Sequence, residues 1–284
     1  MKATSLSINL AGGCNAKCPF CISSSTWKTG VHDNKKLEKA LPKALAYARY
    51  HSVDTVLITG SGEPTLHKDL LFRIAKETRN LGIPAIEVQT NGALLEKDPG
   101  ILSGFYFNGV TTVALSISST DPGRSAELMG IDVNYLTLAK QIDEMGFLCR
   151  ISLNLTRGDQ FLTHPESLRE YAHILKGAGV RQLTFRQLGF PEVPEETKSS
   201  SEKIKWIEQN GFGLFSDLSE TVRSCGSFLR SLSYGAEVFD FEGLSVVPTT
   251  CMTEKTNGEE IRSFILQPDG HIYHSWNYRG SILL

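Results

Sequence analysis

Short apolar runs alternate with helical periodicities over most of the first two thirds of the chain, and that alternation leaves few architectures open. The runs predict strands over residues 5–10, 55–59, 85–90, 112–118, 148–155 and 182–188. Helical patterns fall between them. Residues 36–50 place Leu37, Leu41, Leu45 and Ala48 on one side, with Pro42 as an irregularity. Residues 69–81 stop before Gly82, 135–145 before Gly146, and 165–176 before Gly177, each glycine being a natural C-terminal stop. Strand–helix repetition of this kind makes a parallel sheet with helices outside it. The expected fold is α/β: a partial (β/α)6 TIM-type barrel of six strands rather than eight, with a small C-terminal α+β extension.

The loop after the first predicted strand carries three cysteines, Cys14, Cys18 and Cys21, in a C-x3-C-x2-C spacing. Three thiolates on one short loop can hold three corners of a cubic iron–sulfur cluster and leave the fourth iron open to a ligand. A disulfide framework would want an even set of cysteines in a short secreted chain, and this one has 284 residues and six cysteines. Structural zinc would want a fourth ligand at matching spacing, for which only His32 offers itself. The parallel-sheet reading places the loops after strands one, two and three on one rim. There the cysteine loop would meet Ser61-Gly62-Glu63-Pro64 and Asn91-Gly92.

Composition narrows the partners. Net charge is −2, with 40% hydrophobic and 21% charged residues, which is ordinary for a globular domain and offers no general attraction to nucleic acid. No run approaches the roughly 20 apolar residues that span a bilayer, and no charged leader with an apolar core precedes the first strand. Reduced thiols and an oxygen-sensitive cluster fit a cytoplasmic location.

Several segments in order resemble the radical S-adenosylmethionine (radical SAM) superfamily. Cys14, Cys18 and Cys21 match its cluster loop, with Phe20 as the aromatic before the last cysteine. Ser61-Gly62-Glu63-Pro64 is similar to its glycine-glycine-glutamate-proline segment, with Ser61 in place of one glycine, and Gln89-Thr90-Asn91-Gly92 is similar to its third-strand motif. The resemblance spans about residues 5–190. It implies a single 4Fe-4S cluster on the three cysteines. It also implies an S-adenosylmethionine whose reductive cleavage gives a 5′-deoxyadenosyl radical that takes hydrogen from a substrate. A reduced flavodoxin- or ferredoxin-type protein would supply the electron. Glu63 is then the candidate partner of the methionine ammonium, with the backbone around Ser61 and Gly62. Gln89 or Asn91 would meet the ribose.

Strand alternation adds further candidates. Val113, Leu115 and Ile117 should face the helices, which turns Ser116 and Ser118 inward. Cys149, Ile151, Leu153 and Leu155 oppose Arg150, Ser152 and Asn154 in the same way, and Arg186 shares the inner face with Thr184. Arg150 inside a barrel needs an anion, either the cofactor carboxylate or a buried ion-pair partner. Asn154 is a second cofactor candidate, and Arg186 a candidate for a cofactor or substrate anion.

Past Gly189 the pattern changes. Residues 191–196 and 198–201 read as an exposed linker, 203–209 and 218–232 as helical, and 262–266 with 271–275 as a hairpin around Pro268-Asp269-Gly270. The expected division is a core at 1–190 that holds the cluster and a capping or substrate-binding extension at 191–284, β-rich beyond 240. Ser275 stands where a second cluster would want a cysteine. Cys225 or Cys251 would serve as a hydrogen donor to the substrate radical if the extension folds over the site. Trp276, Asn277, Tyr278 and Arg279 suit a substrate pocket or a plug of the barrel. The leading expectation is an enzyme that abstracts hydrogen from a small polar, sugar- or nucleotide-like substrate in an epimerisation or rearrangement. A peptide- or protein-modifying enzyme, including a glycyl-radical activase, is the runner-up. An iron–sulfur electron-transfer protein is the reading from another class.

Overall fold

The computed structural model describes residues 2–21, 23, 30–189, 198–232, 234–250, 260–276, 278 and 280–284. One 11-stranded sheet forms its spine. Six strands in sequence order, β1 (Lys2–Leu10), β2 (Thr55–Gly60), β3 (Ala85–Thr90), β4 (Thr112–Ile117), β5 (Leu148–Leu155) and β6 (Val180–Gln187), pair parallel with their neighbours. These are the strands the alternation predicts, displaced by two residues or fewer at most ends.

Helices return the chain between them. They are α1 (Lys35–Tyr50), α2 (Lys68–Asn80), α3 (Ala93–Lys97), α4 (Gly100–Asn108), α5 (Pro122–Met129), α6 (Tyr135–Glu144) and α7 (Pro165–Gly177). Their apolar faces cover one side of the sheet. Leu37, Leu41 and Leu45 of α1 are fully buried, as are Ile8, Ile58, Val88, Leu115, Ile151 and Phe185 on the strands beneath. Pro42 sits inside α1 without ending it. The predicted patterns omit α3, α4 and α5. For α5 a signal was present: Asp121 caps the helix, its side chain accepting from Arg124 N, and Pro122 follows at the first helical position.

The C-terminal part differs from expectation in three respects. First, α8 (Lys198–Asn210) begins inside the stretch read as linker. Second, the helix expected over 218–232 stops as α9 (Phe215–Cys225) and gives way to β7 (Ser227–Ser231). An added Cβ on Gly226 would lie 2.7 Å from Val222 O and 3.0 Å from Asp240 O, so strand backbone closes on the chain where the helix ends. Third, the β-rich segment is not a separate layer. β9 (Leu244–Thr250) pairs parallel with β6, and β10 (Glu260–Leu266) pairs parallel with β1. β8 (Glu237–Phe241) joins β7 to β9, and β11 (Ile272–Tyr273) closes the expected hairpin on β10, with Gly270 at φ +86° in its turn. The parallel run thus extends from β10 through β1–β6 to β9, and antiparallel strands border it on both sides. The sheet is not closed.

Candidate active site at the C-terminal rim

The face opposite the helices is polar. Ser5, Ser7 and Asn9 of β1 are nearly buried on it, and Ser152, Thr184 and Asn154 continue it across β5 and β6. In a parallel sheet the loops leaving the strands share one rim, and there the chain gathers its cysteine loop, its Ser-Gly-Glu-Pro loop and Asn91.

Local bonding fixes the cysteine loop at its base. The Asn34 side chain brackets Ala11, accepting from Ala11 N at 2.8 Å and donating to Ala11 O at 3.1 Å. Lys17 N donates to Met129 O at 2.7 Å, which ties the loop to the end of α5. The second loop presses against it. Glu63 N donates to Gly13 O at 3.0 Å, and Ser61 N to Leu10 O at 2.9 Å. A Cβ on Gly62 would stand 2.6 Å from Gly12 O and closer still to Gly13 O, so only glycine permits this approach. Gly12 itself holds φ +148°, with the His67 ring packed over it and His67 Nε2 buried without a hydrogen bond.

Glu63 is 3% exposed and heavily bonded. Its Oε1 accepts from Thr65 N at 3.1 Å, Thr65 Oγ1 at 2.6 Å and Thr90 Oγ1 at 2.6 Å, and its Oε2 accepts from Asn91 N at 2.9 Å. The carboxylate therefore braces the end of β3 against the β2 loop. Asn91, so held, donates from Nδ2 to Asn15 Oδ1 at 2.7 Å and lies 3.9 Å from Cys14 Sγ. Tyr135 Oη donates to Asn91 O at 3.0 Å from below. Phe20 is buried against Trp206 of α8, with ring centroids 5.4 Å apart, and Lys203 of the same helix donates to Cys21 O at 3.2 Å.

Among the described residues no three His, Cys, Asp or Glu side chains stand ready-arranged around one metal position. The thiols are nonetheless close enough to sense each other. Burial, then the neighbouring Cys21 and Cys14, push Cys18 up to about 12, and burial chiefly raises Cys14. Iron would reverse that penalty, because soft thiolates are the donors it takes and binding expels their protons. The donor set fits a cluster. Ser118 provides a second test of fit: it is wholly buried at the end of β4, and its Oγ has no hydrogen-bond partner. A buried hydroxyl at this rim without a protein partner fits a position that a bound ligand would complete.

The remaining predicted residues separate into those near the rim and those that are not. Ser116 is half-buried on the inner face, level with Ser152, and Ser61 Oγ accepts from Asn9 Nδ2 at 3.2 Å. Asn154 Nδ2 donates to Ile117 O at 3.0 Å, and Arg186 lies opposite Asn154. Arg150 is a correction. It pairs with Glu87, a buried carboxylate on β3 that sequence reasoning missed, and so takes the internal ion pair rather than a cofactor anion. Gln89 is drawn into the same group, its Nε2 donating to Glu87 Oε1 at 2.8 Å, and does not point its amide to the rim. Cys225 is a second correction. It ends α9 next to Gly226, which abuts Asp240 near the start of β9, on the opposite rim from the cysteine loop. Cys251, Asn277 and Arg279 lie outside the described residues. Of the partners that complete the rim, Thr90 stands inside the Gln89-Thr90-Asn91-Gly92 segment and Thr65 directly follows Ser61-Gly62-Glu63-Pro64, while Tyr135, Lys203 and Trp206 carry no sequence signal of their own.

An α/β protein with a three-thiol loop at the C-terminal rim of a parallel sheet, backed by a glycine-dependent second loop, is built to carry a metal cluster at a ligand-binding edge. The chain belongs to the radical SAM superfamily, whose family model matches residues 8–203. Proteins of this family are enzymes that use a 4Fe-4S cluster and S-adenosylmethionine, so the chain is a radical SAM enzyme with those cofactors. Among its relatives, GTP 3′,8-cyclase of Aquifex aeolicus is 26% identical over 193 residues, which are 66% of this chain and 57% of that one. The molybdenum cofactor biosynthesis protein moc-5 of Caenorhabditis elegans is 27% identical over 54% of this chain and 25% of that protein. The chain thus spans well under two thirds of these relatives. In three dimensions it is similar to Streptococcus suis SuiB bound to the precursor peptide SuiA, with TM-score 0.59 and 19% identity over 95% of this chain and 59% of that one. No helix among the described residues is long and apolar enough to cross a membrane.

Proposed function

We propose that this enzyme uses its rim to bind S-adenosylmethionine on a cluster held by Cys14, Cys18 and Cys21 and to act on a small polar, sugar- or nucleotide-like molecule. The observation that carries the cofactor half of the reading is the convergence of the cysteine loop, Gly62, Glu63 and Asn91 at one edge, beside the orphaned Ser118 hydroxyl. The cofactors supply an adenosyl radical that removes a substrate hydrogen atom. The chain's own share is placement. Ser61 and Gly62 offer backbone groups at close approach, Glu63 acts by fixing Thr90 and Asn91, and Asn91, Ser116 and Ser118 offer hydrogen bonds to the cofactor. Phe20, backed by Trp206, shields the loop from water.

For the substrate half, the support is the inner face itself. Its serines, threonines and asparagines suit hydroxyl-rich molecules. In this reading the sheet curves as a partial (β/α)6 barrel over β1–β6. Residues 1–190 carry the cofactors, and the later segments, through β9 and β10, contribute the substrate side. A single cluster favours a redox-neutral outcome, epimerisation or rearrangement, with the electron delivered by a reduced flavodoxin- or ferredoxin-type donor. A peptide substrate is the second reading. One observation favours it: β7 is exposed along its whole length, with Phe228 57% and Leu229 54% accessible, and among the described residues it pairs only with β8. An extended peptide could add to such an edge.

The test is anaerobic reconstitution with iron and sulfide, reduction, and addition of S-adenosylmethionine. Formation of 5′-deoxyadenosine at about four irons per chain is the expected result. Failure to form it, or about eight irons per chain, refutes the single-cluster reading. Deuterium carried from one compound of a metabolite mixture into 5′-deoxyadenosine would identify the substrate, and label arriving only from peptides would favour the second reading.

A further inference from the structure

Polar groups on the inner face mostly answer one another. The Ser7 and Ser263 hydroxyls lie 2.9 Å apart, and Asn9 Nδ2 donates to Gln267 Oε1 at 2.6 Å. Arg150 on β5 is met by Glu87 on β3. Arg186 on β6 is the contrast. It alternates with the buried Leu183 and Phe185, so it shares the inner face with Gln182 and Thr184, and it is only half-buried. Among the described residues its guanidinium makes no hydrogen bond or ion pair. A guanidinium stays charged at every working pH and carries five donors in a planar fork shaped for two oxygens of an anion. Where an arginine on this face is structural, a neighbouring strand supplies its carboxylate. Among the described residues none is supplied to Arg186.

We propose that Arg186 anchors an anionic oxygen group, phosphate or carboxylate, of the substrate. This inference rests on the radical SAM reading above and names what its substrate must carry. Register supports it. Arg186 lies one residue from the C-terminal end of β6, between Asn154 of β5 and Thr249 of β9. Asn154 gives one Nδ2 hydrogen to Ile117 O and keeps the second to offer an anion, while the Thr249 hydroxyl donates to Thr250 O at 3.3 Å. The cofactor-side groups come from the ends of β1 to β4, so Arg186 faces the same rim from two strands beyond Ser118. A substrate held there by its anion presents its uncharged remainder toward the cluster side. Binding energy remote from the reacting carbon then positions that carbon.

The experiment titrates reconstituted enzyme, with S-adenosylmethionine present, calorimetrically with inorganic phosphate and in a separate arm with acetate. The variants are Arg186→Gln and Arg186→Lys. Wild type is expected to bind at least one anion saturably, phosphate preference marking a phosphoester substrate and acetate preference a carboxylate. Arg186→Gln should weaken that binding by about tenfold or more, and Arg186→Lys by less, because an ammonium keeps the charge and loses the fork. The change that S-adenosylmethionine induces in the cluster's paramagnetic resonance spectrum should be the same in all three. Wild type that binds neither anion, or Arg186→Gln that binds as wild type does, overturns the inference. So does Arg186→Gln protein that loses the S-adenosylmethionine response, since the arginine would then serve the cofactor. Wild type without any such response refutes the functional reading instead.

Discussion

Replacing Gly62 with alanine tests the geometry on which the site depends. The new Cβ would lie 2.6 Å from Gly12 O and from the Gly13 carbonyl carbon. Both are backbone atoms, so no side chain can swing aside, and one loop must move. Overpacking of that kind costs about 1–3 kcal/mol. Separating the loops also strains the 3.0 Å bond from Glu63 N to Gly13 O, for about another 0.5–1.5 kcal/mol. The sum, about 1.5–4.5 kcal/mol, leaves a domain of ordinary stability folded. Its Tm should fall by roughly 3–18 °C. The local effect is larger, since thiolate–metal distances tolerate only about ±0.2 Å while a loop relieving this clash moves further. Gly62→Ala should therefore fold and yet retain clearly less iron and sulfide after reconstitution. Gly13→Ala is the control on the same loop: its Cβ meets nothing within 4 Å, and its Tm should match wild type. Calorimetry and iron analysis on both decide the matter. Wild-type iron content and Tm in Gly62→Ala would show that the two loops are not in contact as described.

Other perturbations have equally definite outcomes. Arg150→Met strands the buried Glu87 carboxylate and should cost about 3 kcal/mol in denaturant unfolding, whereas Glu87→Gln with Arg150→Met together should cost much less than the two single changes summed; additivity would refute the pair. Burial lifts the Cys149 thiol from an ordinary 9.0 to about 12. The unfolded chain therefore loses this proton first, and stability should decline as pH rises from about 9 toward 12, with a shallower decline in Cys149→Ala. Equal slopes would show that Cys149 is not so placed. Trp206→Ala removes the ring packed on Phe20 and should hasten bleaching of the cluster's visible absorbance in air, and an unchanged bleaching rate would free α8 of any protective role.

Most of the fold could be read from residues near one another in sequence, and what could not is long-range. β1 to β6 declare themselves because each alternates buried apolar residues toward the helices with mostly polar ones away from them, and the alternation needs no knowledge of neighbours. β10 gives the same local pattern, yet its partner in the sheet is β1, through Lys2 opposite Glu260 and Ile8 opposite Leu266. Nothing in 260–266 distinguishes a strand that flanks β1 from half of an isolated hairpin. The site divides on the same line. Cys14, Cys18, Cys21, Gly62 and Asn91 are legible because each must occupy a loop after a strand. Arg150 stayed open between two anions because its partner Glu87 lies on another strand, and an inward-facing charge says only that it needs an anion, not which one; Gln89 was misassigned because it spends its amide on Glu87, two residues back on its own strand. Glu63 makes the distinction sharpest. Its motif marks it as important, and its oxygens accept from Thr65, Thr90 and Asn91, so in the function proposed above it acts by holding Asn91 in place. Glu63→Gln, which keeps the shape but loses acceptor capacity against Thr90 and Asn91, should consequently loosen Asn91 from Asn15. The affinity for S-adenosylmethionine should fall while the iron content stays, because no cysteine is touched. If Asn91→Ala in the Glu63→Gln background weakens S-adenosylmethionine binding by its full single-mutant factor again, the two residues act separately and the brace is refuted.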